Sequence, residues 1–164
     1  MKHVASLSLL FLLGLCLSAL AGAQTAVPAG TDAARNATWT DPATGLMWAG
    51  MDNGSDVNWN QATAYCSNLQ LAGYKGWRLP TLEELQGIDD SSVTAKTTFD
   101  FGDSWVHVKG NLKLTGWHWS NSQGHAPGSN GPWNFNFQAE KAGDAFPIGF
   151  SYSMRALCVR RPGQ

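Results

Sequence analysis

The fold is most constrained by residues 76–85, which read GWRLPTLEEL. Trp77 and Leu79 alternate with an arginine, as in a strand with one buried face. The proline that follows ends this strand because it has no N–H to donate to a ladder. Thr81 then begins a helix, and Glu84 three residues later completes a capping box. The stretch predicts a strand that runs directly into a helix, through a structural motif of Trp77, Arg78, Leu79, Pro80, Thr81 and Glu84.

The N-terminus has the pattern of a secretory signal peptide. A short positive start precedes an apolar run over residues 7–20, which is too short to span a bilayer comfortably. Residues 21–23 (Ala-Gly-Ala) supply a cleavage site. Lipid attachment at Cys16 is the weaker interpretation, since a leucine precedes that cysteine. The expected organisation is a signal peptide (1–23), a flexible leader (24–36) and one domain (37–162).

The mature chain is close to electrical neutrality. The signal peptide removes one of the 11 Lys and Arg residues and none of the 12 Asp and Glu residues, so the mature net charge is 10 − 12 = −2. This balance gives no electrostatic basis for binding nucleic acid, although a local basic patch is compatible with it. We therefore expect no nucleic-acid partner, and no membrane span after signal removal.

Two cysteines, Cys66 and Cys158, remain in the mature chain. An even pair in an exported protein predicts a disulfide, which would close a loop of 92 residues. The chain-entropy estimate for such a loop is on the order of 4–5 kcal/mol. The alternatives are two free thiols or half of a metal site, and two cysteines without a nearby histidine make a poor zinc site. We expect no metal and no cofactor.

The remaining patterns predict an α+β fold with two helices flanking a small antiparallel sheet with long loops. The strand at 133–137 is expected to place three aromatics on one face and two asparagines on the other. The expected elements are a hairpin (38–48) with a turn at 41–45, a helix (about 61–70) capped by Asn58 or Asn60, the helix after Thr81, little regular structure over 89–105, strands at 112–114 and 116–122, a loop (123–131), and strands at 133–137 and 154–160.

The polar loop at residues 52–56, which reads DNGSD, superficially resembles a calcium loop. An EF-hand needs a glycine at its sixth position and a distal bidentate glutamate, and neither is present. An Asx turn is the preferred interpretation of this loop.

Motifs spread along the chain carry a family resemblance. They are Asp41, Thr44, Gly45, Leu46, Met47, Trp48, Trp59, Ala62, Tyr65, Cys66, Gly73, Tyr74, residues 77–81, Glu84, Leu85, Trp119, Ser120, Trp133 and residues 155–160. In order and spacing they resemble the Lcl C-terminal domain family, a group of exported bacterial domains with a C-type-lectin-like fold. The resemblance runs from about Trp39 to Arg160 and implies that fold, with surface or periplasmic deployment.

The resemblance implies function more loosely than fold. The namesake domain is an adhesin module that binds sulfated polysaccharide, while fold alone does not fix function. This sequence lacks the collagen-like repeats of the namesake. It also lacks the tripeptides of calcium-dependent lectins, since Phe135 follows Trp133 and Asn134 where an aspartate would be needed.

The best candidate ligand contacts lie in the C-terminal half. An aromatic platform edged by amides suits a sugar, because rings stack on pyranose faces and amides pair with hydroxyls. The alternative is that the aromatics are core and the asparagines only face water. The candidates are Trp117, His118, His125, Asn130, Asn134 and Asn136, while Trp119, Trp133, Phe135 and Phe137 are assigned to the core.

Two charged sets are weaker candidates. A carboxylate pair could hydrolyse glycosides, but nothing in the sequence places two acids at a working separation. Forked arginine contacts could bind an anionic glycan. For Arg78 an internal contact near Glu84 is preferred. The acidic set is Asp89, Asp90, Asp100 and Asp103, and the basic set is Arg78, Arg155, Arg160 and Arg161.

The leading hypothesis is an exported, non-enzymatic binding or adhesion module in the periplasm, on the outer surface or in the medium. It would recognise a glycan or a surface protein through the region between Trp105 and Phe137. One alternative is an enzyme related to formylglycine-generating enzymes, which share a related fold and use reactive cysteines. The other is a diversified ligand-binding protein of the same fold. No Ser-His-Asp, GxSxG, HExxH or phosphate-loop pattern is present.

Overall fold

The computed structural model describes residues 37–126, 129–138, 141–146 and 149–163. The predicted signal peptide (1–23) and leader (24–36) lie outside these residues. The elements are β1 (Thr38–Thr40), β2 (Met47–Ala49), α1 (Trp59–Asn68), α2 (Leu82–Gly87), β3 (Ala95–Phe99), β4 (Gly102–Val106), β5 (Trp117–Ala126), β6 (Ser129–Asn136), β7 (Lys141–Ala145), β8 (Met154–Arg155) and β9 (Val159–Arg160). None of the described helices is long and apolar enough to cross a membrane.

Within the described ranges, the strands form three small sheets with the orders β1-β2-β9, β3-β4 and β7-β6-β5-β8. All neighbours are antiparallel except β5 and β8, which are parallel. The predicted α+β class with two helices is confirmed. The expectation of one antiparallel sheet is wrong, because the chain pairs its strands in three separate groups.

Both helices begin with a capping box. The hydroxyl of Thr81 accepts from the Glu84 N–H at 3.2 Å, and the Glu84 carboxylate accepts from the Thr81 N–H at 2.9 Å. Asn58 and Gln61 exchange the equivalent bonds at the start of α1. These caps satisfy backbone donors that a helix leaves without internal partners. The predicted helix starts are therefore confirmed, with Asn58 as the first cap.

The strand predicted before α2 is shorter than expected. Within residues 77–79 only Arg78 pairs, in a single antiparallel bridge with Val159. Trp77 and Leu79 are nevertheless 2% exposed, so the predicted alternation of buried and polar residues is confirmed. Pro80 ends the extended segment one residue later, which leaves no room for a ladder.

The predicted disulfide is confirmed. Cys66 on α1 and Cys158 before β9 are bonded, with their Cα atoms 5.4 Å apart, and both residues are fully buried. The bond tethers α1 to the C-terminal segment across 92 residues of sequence. It lies in one of two apolar clusters, together with Trp77, Leu79 and Trp119.

The other apolar cluster lies around Trp48, Leu85 and Phe99. Phe135 and Phe137 belong to it, with ring centroids 4.7 Å apart in an edge-to-face arrangement. The core assignment is thus confirmed for Trp119, Phe135 and Phe137. Trp133 is only partly buried.

The expectation of little regular structure over residues 89–105 is wrong. Strands β3 and β4 form a hairpin there, joined by the two-residue turn Asp100-Phe101. The buried Val106 and Val108 alternate with Trp105 and His107, a period-two pattern that indicates a strand. The aromatic residues of this segment have no clear period of their own, and they obscured the alternation of the valines.

The predicted loop at 123–131 is also wrong. Strands β5 and β6 continue into it, with Gly124 opposite Gly131 and His125 opposite Asn130. Backbone pairing does not require β-favouring side chains once neighbouring strands fix the register. Residues 127–128 lie outside the described part of the chain.

Two further strand predictions need correction. The strand expected at 112–114 is a single parallel bridge between Met51 and Lys113. The strand expected at 154–160 is divided into β8 and β9, and all eight residues from 153 to 160 are buried. This segment does not have the one buried and one exposed face of a single strand, because β8 pairs with β5 while β9 pairs with β2.

Gly110 and Gly54 provide a matched test of packing around Trp39. Both have a left-handed backbone, with φ of 70° and 68°. A Cβ on Gly110 would lie 2.6 Å from the Trp39 ring, whereas one on Gly54 would meet nothing within 4 Å.

We predict that Gly54→Ala lowers the free energy of unfolding by about 1 kcal/mol, the backbone cost alone. Gly110→Ala should cost roughly 1–3 kcal/mol more, from overpacking. Denaturant unfolding measures both, and equal losses would contradict the Trp39 contact.

Candidate functional site

The six predicted ligand residues all lie on the paired strands β5 and β6, but those whose side chains are described differ in exposure. His118 and Asn134 are fully buried, so neither side chain reaches a surface ligand. Trp117 is partly buried and packs against both apolar clusters. Asn136 is partly exposed, and its side-chain oxygen accepts from the Gln138 N–H at 2.9 Å.

The remaining two predicted residues, His125 and Asn130, face each other across the β5–β6 ladder. Their side chains lie outside the described part of the structure. The expectation that the asparagine face of residues 133–137 meets solvent or a ligand is wrong for Asn134, which is fully buried. Asn134 lies directly opposite Trp119, which belongs to the apolar cluster that contains the disulfide, so this face of β6 is also covered by protein.

His118 contacts a buried carboxylate, Asp52, which the sequence places only in a turn. The ring Nε2 lies 3.1 Å from Asp52 Oδ2, and the Thr115 hydroxyl donates to Asp52 Oδ1 at 2.8 Å. Asp52 Oδ1 also accepts from the Gly54 N–H at 3.0 Å, which confirms the expected Asx turn. Asp52 therefore joins the 52–56 loop to the segment before β5.

The surroundings of Asp52 keep it ionised. Burial alone would raise the pKa of this carboxyl. The hydrogen bond and charge of His118, with the backbone and side-chain hydrogen bonds of Thr115, outweigh burial and hold the pKa below its ordinary value of 3.8. Asp52 and its partners are thus a structural unit inside the fold.

Arg155 forms the second buried polar unit. Its side chain is only 2% exposed, and its two terminal nitrogens pair with Asp56 and Asp100. Both oxygens of Asp100 accept at 2.7 Å. Burial would lower the Arg155 pKa, but these carboxylates raise it above its ordinary value. Arg155 is consequently not available as a surface contact for an anionic ligand.

The other basic candidates are also engaged at least in part. Arg78 pairs with Glu84 through two contacts of 2.7 Å, which confirms the preferred internal ion pair. Arg160 is 4% exposed, donates to the Lys75 carbonyl at 3.0 Å and lies 4.7 Å above the Tyr74 ring centre. Of this set, Arg161 is exposed.

Three of the four acidic candidates are bonded to neighbouring side chains. Asp100 is bound to Arg155, Asp103 pairs with Lys96 at 2.6 Å, and Asp90 accepts from Ser92. Among the described residues, no group of three or more His, Cys, Asp or Glu side chains is arranged to hold a metal ion.

The structure reveals an exposed aromatic surface on the β3–β4 hairpin instead. Trp105 is 58% exposed and Phe101 at the turn is 56% exposed. Lys96 lies directly opposite Trp105, and Thr98 lies directly opposite Asp103. Opposed residues, and residues two apart in one strand, share a face of a sheet. We name this face, formed by Lys96, Thr98, Asp103 and Trp105, the hairpin platform.

The polar members of the hairpin platform are already ordered. Asp103 accepts from Thr98 at 3.1 Å and pairs with Lys96 at 2.6 Å. Lys96 first, and then Thr98, holds the pKa of Asp103 below its ordinary value. The platform therefore presents an indole ring beside a hydroxyl, a carboxylate and an ammonium group at neutral pH.

We predict that Asp52→Asn lowers the free energy of unfolding by roughly 2–4 kcal/mol at pH 7. The substitution removes a buried negative charge that accepts several hydrogen bonds. Because the folded-state pKa of Asp52 is depressed, its contribution exists above the unfolded pKa and is lost as pH falls through the folded value. The difference from wild type should therefore shrink below about pH 4, as measured by thermal or urea unfolding.

Asp90→Asn provides the control for this experiment. Asp90 lies near the surface, and its side chain accepts from the N–H and the hydroxyl of the nearby Ser92. Its substitution should leave the unfolding midpoint nearly unchanged. A pH-independent difference between Asp52→Asn and wild type would contradict the assigned charge state.

Comparison with known proteins places the whole described fold in one family. The family model described as the Lcl C-terminal domain matches residues 37–160, well over half of the chain. Searches of curated proteins and of solved structures returned no match. The matched segment begins just before β1 and ends with β9, and so includes the capping boxes, the disulfide and the Arg155 unit. The chain belongs to the Lcl C-terminal domain family.

Proposed function

We propose that this protein is an exported, non-enzymatic binding module that recognises a glycan through the hairpin platform. The observation that carries the proposal is the 58% exposure of Trp105 on a paired strand, beside three ordered polar side chains. Exposed aromatic rings offer an apolar face to a pyranose, and the flanking groups can exchange hydrogen bonds with sugar hydroxyls. Family membership and the buried disulfide support export.

The hairpin is held firmly enough to present a ligand surface. Asp100 at its turn is bonded to the buried Arg155 through both carboxylate oxygens. Phe99 and Val106 on its inner face belong to the apolar core. Binding to a pre-ordered surface avoids part of the entropy cost of ordering side chains. Of the platform residues, only Trp105 belongs to the region between Trp105 and Phe137 that the sequence patterns favoured, and the other three precede it.

The proposal extends to the fold family within the α+β class. We propose a C-type-lectin-like arrangement, in which long connections between short elements carry the ligand site. Two helices, small sheets and a disulfide from the first helix to the C-terminal segment support it.

The competing enzyme hypothesis requires a reactive thiol. Cys66 and Cys158 are bonded to each other and fully buried, so neither supplies a thiolate nucleophile in this state. The contacts of Asp90, Asp100 and Asp103 likewise support binding over hydrolysis, because each of these carboxylates is committed to a neighbouring side chain.

A glycan array screened with the mature protein, followed by calorimetry on the best ligand, tests the proposal. Trp105→Ala should weaken binding roughly tenfold or more, the effect of removing a central aromatic contact. Trp105→Phe should retain most of the affinity, since it keeps a stacking face.

Tyr152→Ala is the matched control, because Tyr152 is also highly exposed, at 65%, and lies outside the hairpin. The Tyr152→Ala variant should bind the glycan with the affinity of the wild type. Wild-type affinity in Trp105→Ala, or no bound glycan on a broad array, would refute the proposal.

A further inference from the structure

A second surface, beside Met51, is apolar and recessed. It is a groove of about 660 Å³ between α1 and the segment that follows β2. Its walls include Ala49, Met51, Leu69 and Leu71. This volume falls in the range of small-molecule sites, which are mostly apolar with a few polar groups.

The groove keeps unusually exposed apolar side chains at its mouth. Met51 is 58% exposed and Tyr65 is 39% exposed, although both line the same recess. A second hollow of about 550 Å³ shares Tyr65 and Leu69 and continues the surface across α1. Contiguous exposed apolar surface of this kind marks a binding region more often than chance, and methionine adapts to varied apolar ligands.

One basic residue lines the groove, and its main chain is held in place. Lys113 lines it, and no acidic side chain of the described residues does. The Lys113 main chain is anchored on both sides, since its N–H donates to the Gly50 carbonyl at 2.9 Å and its carbonyl accepts from the Asp52 N–H at 3.2 Å. The ion pairs found in the described part of the chain leave its ammonium group without a carboxylate partner.

Tyr65 adds a neutral hydrogen-bond donor. Burial first, and then the charge of Asp52, raises the pKa of its phenol above the ordinary value of 10.0. The hydroxyl therefore stays protonated at neutral pH and can donate to an acceptor. The groove thus combines an apolar trough with an ammonium group and a phenol O–H.

We propose that this groove binds a single-chain amphiphile with an anionic head, of the free fatty-acid type. The aliphatic chain lies against Met51, Leu69 and Leu71, and the carboxylate meets Lys113. Charge complementarity selects this occupant over a neutral or cationic chain, because the described lining carries one positive charge and no negative charge. The groove shares no lining residue with the hairpin platform, although a neighbouring hollow is lined by Met51 and Lys113 together with Lys96 and Thr98. Trp105, which carries the proposed glycan function, lines neither hollow, so the two proposals can be tested independently.

Calorimetry with dodecanoate, kept below its micelle concentration, tests the proposal on the mature protein. Saturable binding of about one equivalent is expected, with affinity rising about two- to fourfold for each added CH₂ between octanoate and dodecanoate. Dodecanol should bind more weakly, and dodecyltrimethylammonium more weakly still. Equal affinity for the three head groups, or no saturable binding of dodecanoate, would overturn the proposal.

Variants at the groove separate the charge from the apolar contact. Lys113→Gln should weaken dodecanoate binding roughly tenfold and leave dodecanol unchanged. Lys75→Gln, an exposed lysine outside the groove, should have no effect. Met51→Glu should weaken dodecanoate binding, whereas Met51→Lys should not. The fold tolerates both substitutions because Met51 is exposed. The same response in Lys75→Gln as in Lys113→Gln would overturn the assigned head-group contact.

Two further measurements separate a free amphiphile from a glycan and from a lipid bilayer. Trp105→Ala should bind dodecanoate like wild type, whatever its effect on glycan binding. Sedimentation with phosphatidylglycerol vesicles tests a membrane source of the same anionic chemistry. Association with vesicles in the absence of saturable binding to monomeric dodecanoate would contradict a free amphiphile as the ligand.

Discussion

The buried guanidinium of Arg155 is the interaction on which the rest of the structure depends. Its nitrogens reach the 52–56 loop through Asp56, the β3–β4 turn through Asp100 and the segment before β5 through the Thr115 hydroxyl at 3.0 Å. Removing one carboxylate leaves the buried guanidinium less compensated, at a cost below the roughly 3–5 kcal/mol of a fully buried pair, because Asp56 and Asp100 are each 44% exposed. The close passage beside it also requires a glycine, since a Cβ on Gly116 would lie 2.5 Å from the Ser153 carbonyl oxygen.

This arrangement divides the polar residues of the chain between two roles. Asp52 and Arg155, which make several side-chain hydrogen bonds each, are nearly inaccessible and join distant segments. The accessible surfaces are built from simpler parts: an exposed indole on a hairpin, and an apolar groove beside α1. The buried network fixes the backbone, and the surface side chains are then free to serve a ligand. A binding module needs this combination of a rigid scaffold and exposed contacts.

Local chemistry explains what could be predicted from the sequence. A capping box lies within four residues, so Thr81 and Glu84 already specify the start of α2. The disulfide could be predicted from two cysteines in the mature chain and from the oxidising compartment that the signal peptide implies. By contrast, Asp52 and Thr115 are 63 residues apart, and Arg155 and Asp56 are 99 apart. No periodicity connects such residues, so these contacts could not be predicted.

The burial of two candidate ligand residues, His118 and Asn134, escaped the sequence analysis for a related reason. Asn134 was expected to face solvent or a ligand, but it lies opposite the buried Trp119, so the face of β6 that carries it is covered as well. Trp105 was not among the candidates, because little regular structure was expected over residues 89–105. It is exposed because β3 and β4 form a two-stranded sheet whose inner residues, Phe99 and Val106, already occupy the core. Which face of a hairpin is covered depends on the rest of the fold.

Native-state hydrogen exchange in Asp100→Asn tests the central claim most directly, that Arg155 anchors the hairpin through Asp100. We predict that amides in β3 and β4 exchange roughly tenfold faster or more, while those of β2 and the start of β5 keep their protection. Asp103→Asn, which changes an outward carboxylate of the same hairpin, should leave the β3–β4 pattern close to wild type. Unchanged exchange in Asp100→Asn, or a uniform increase over the whole domain, would contradict the claim.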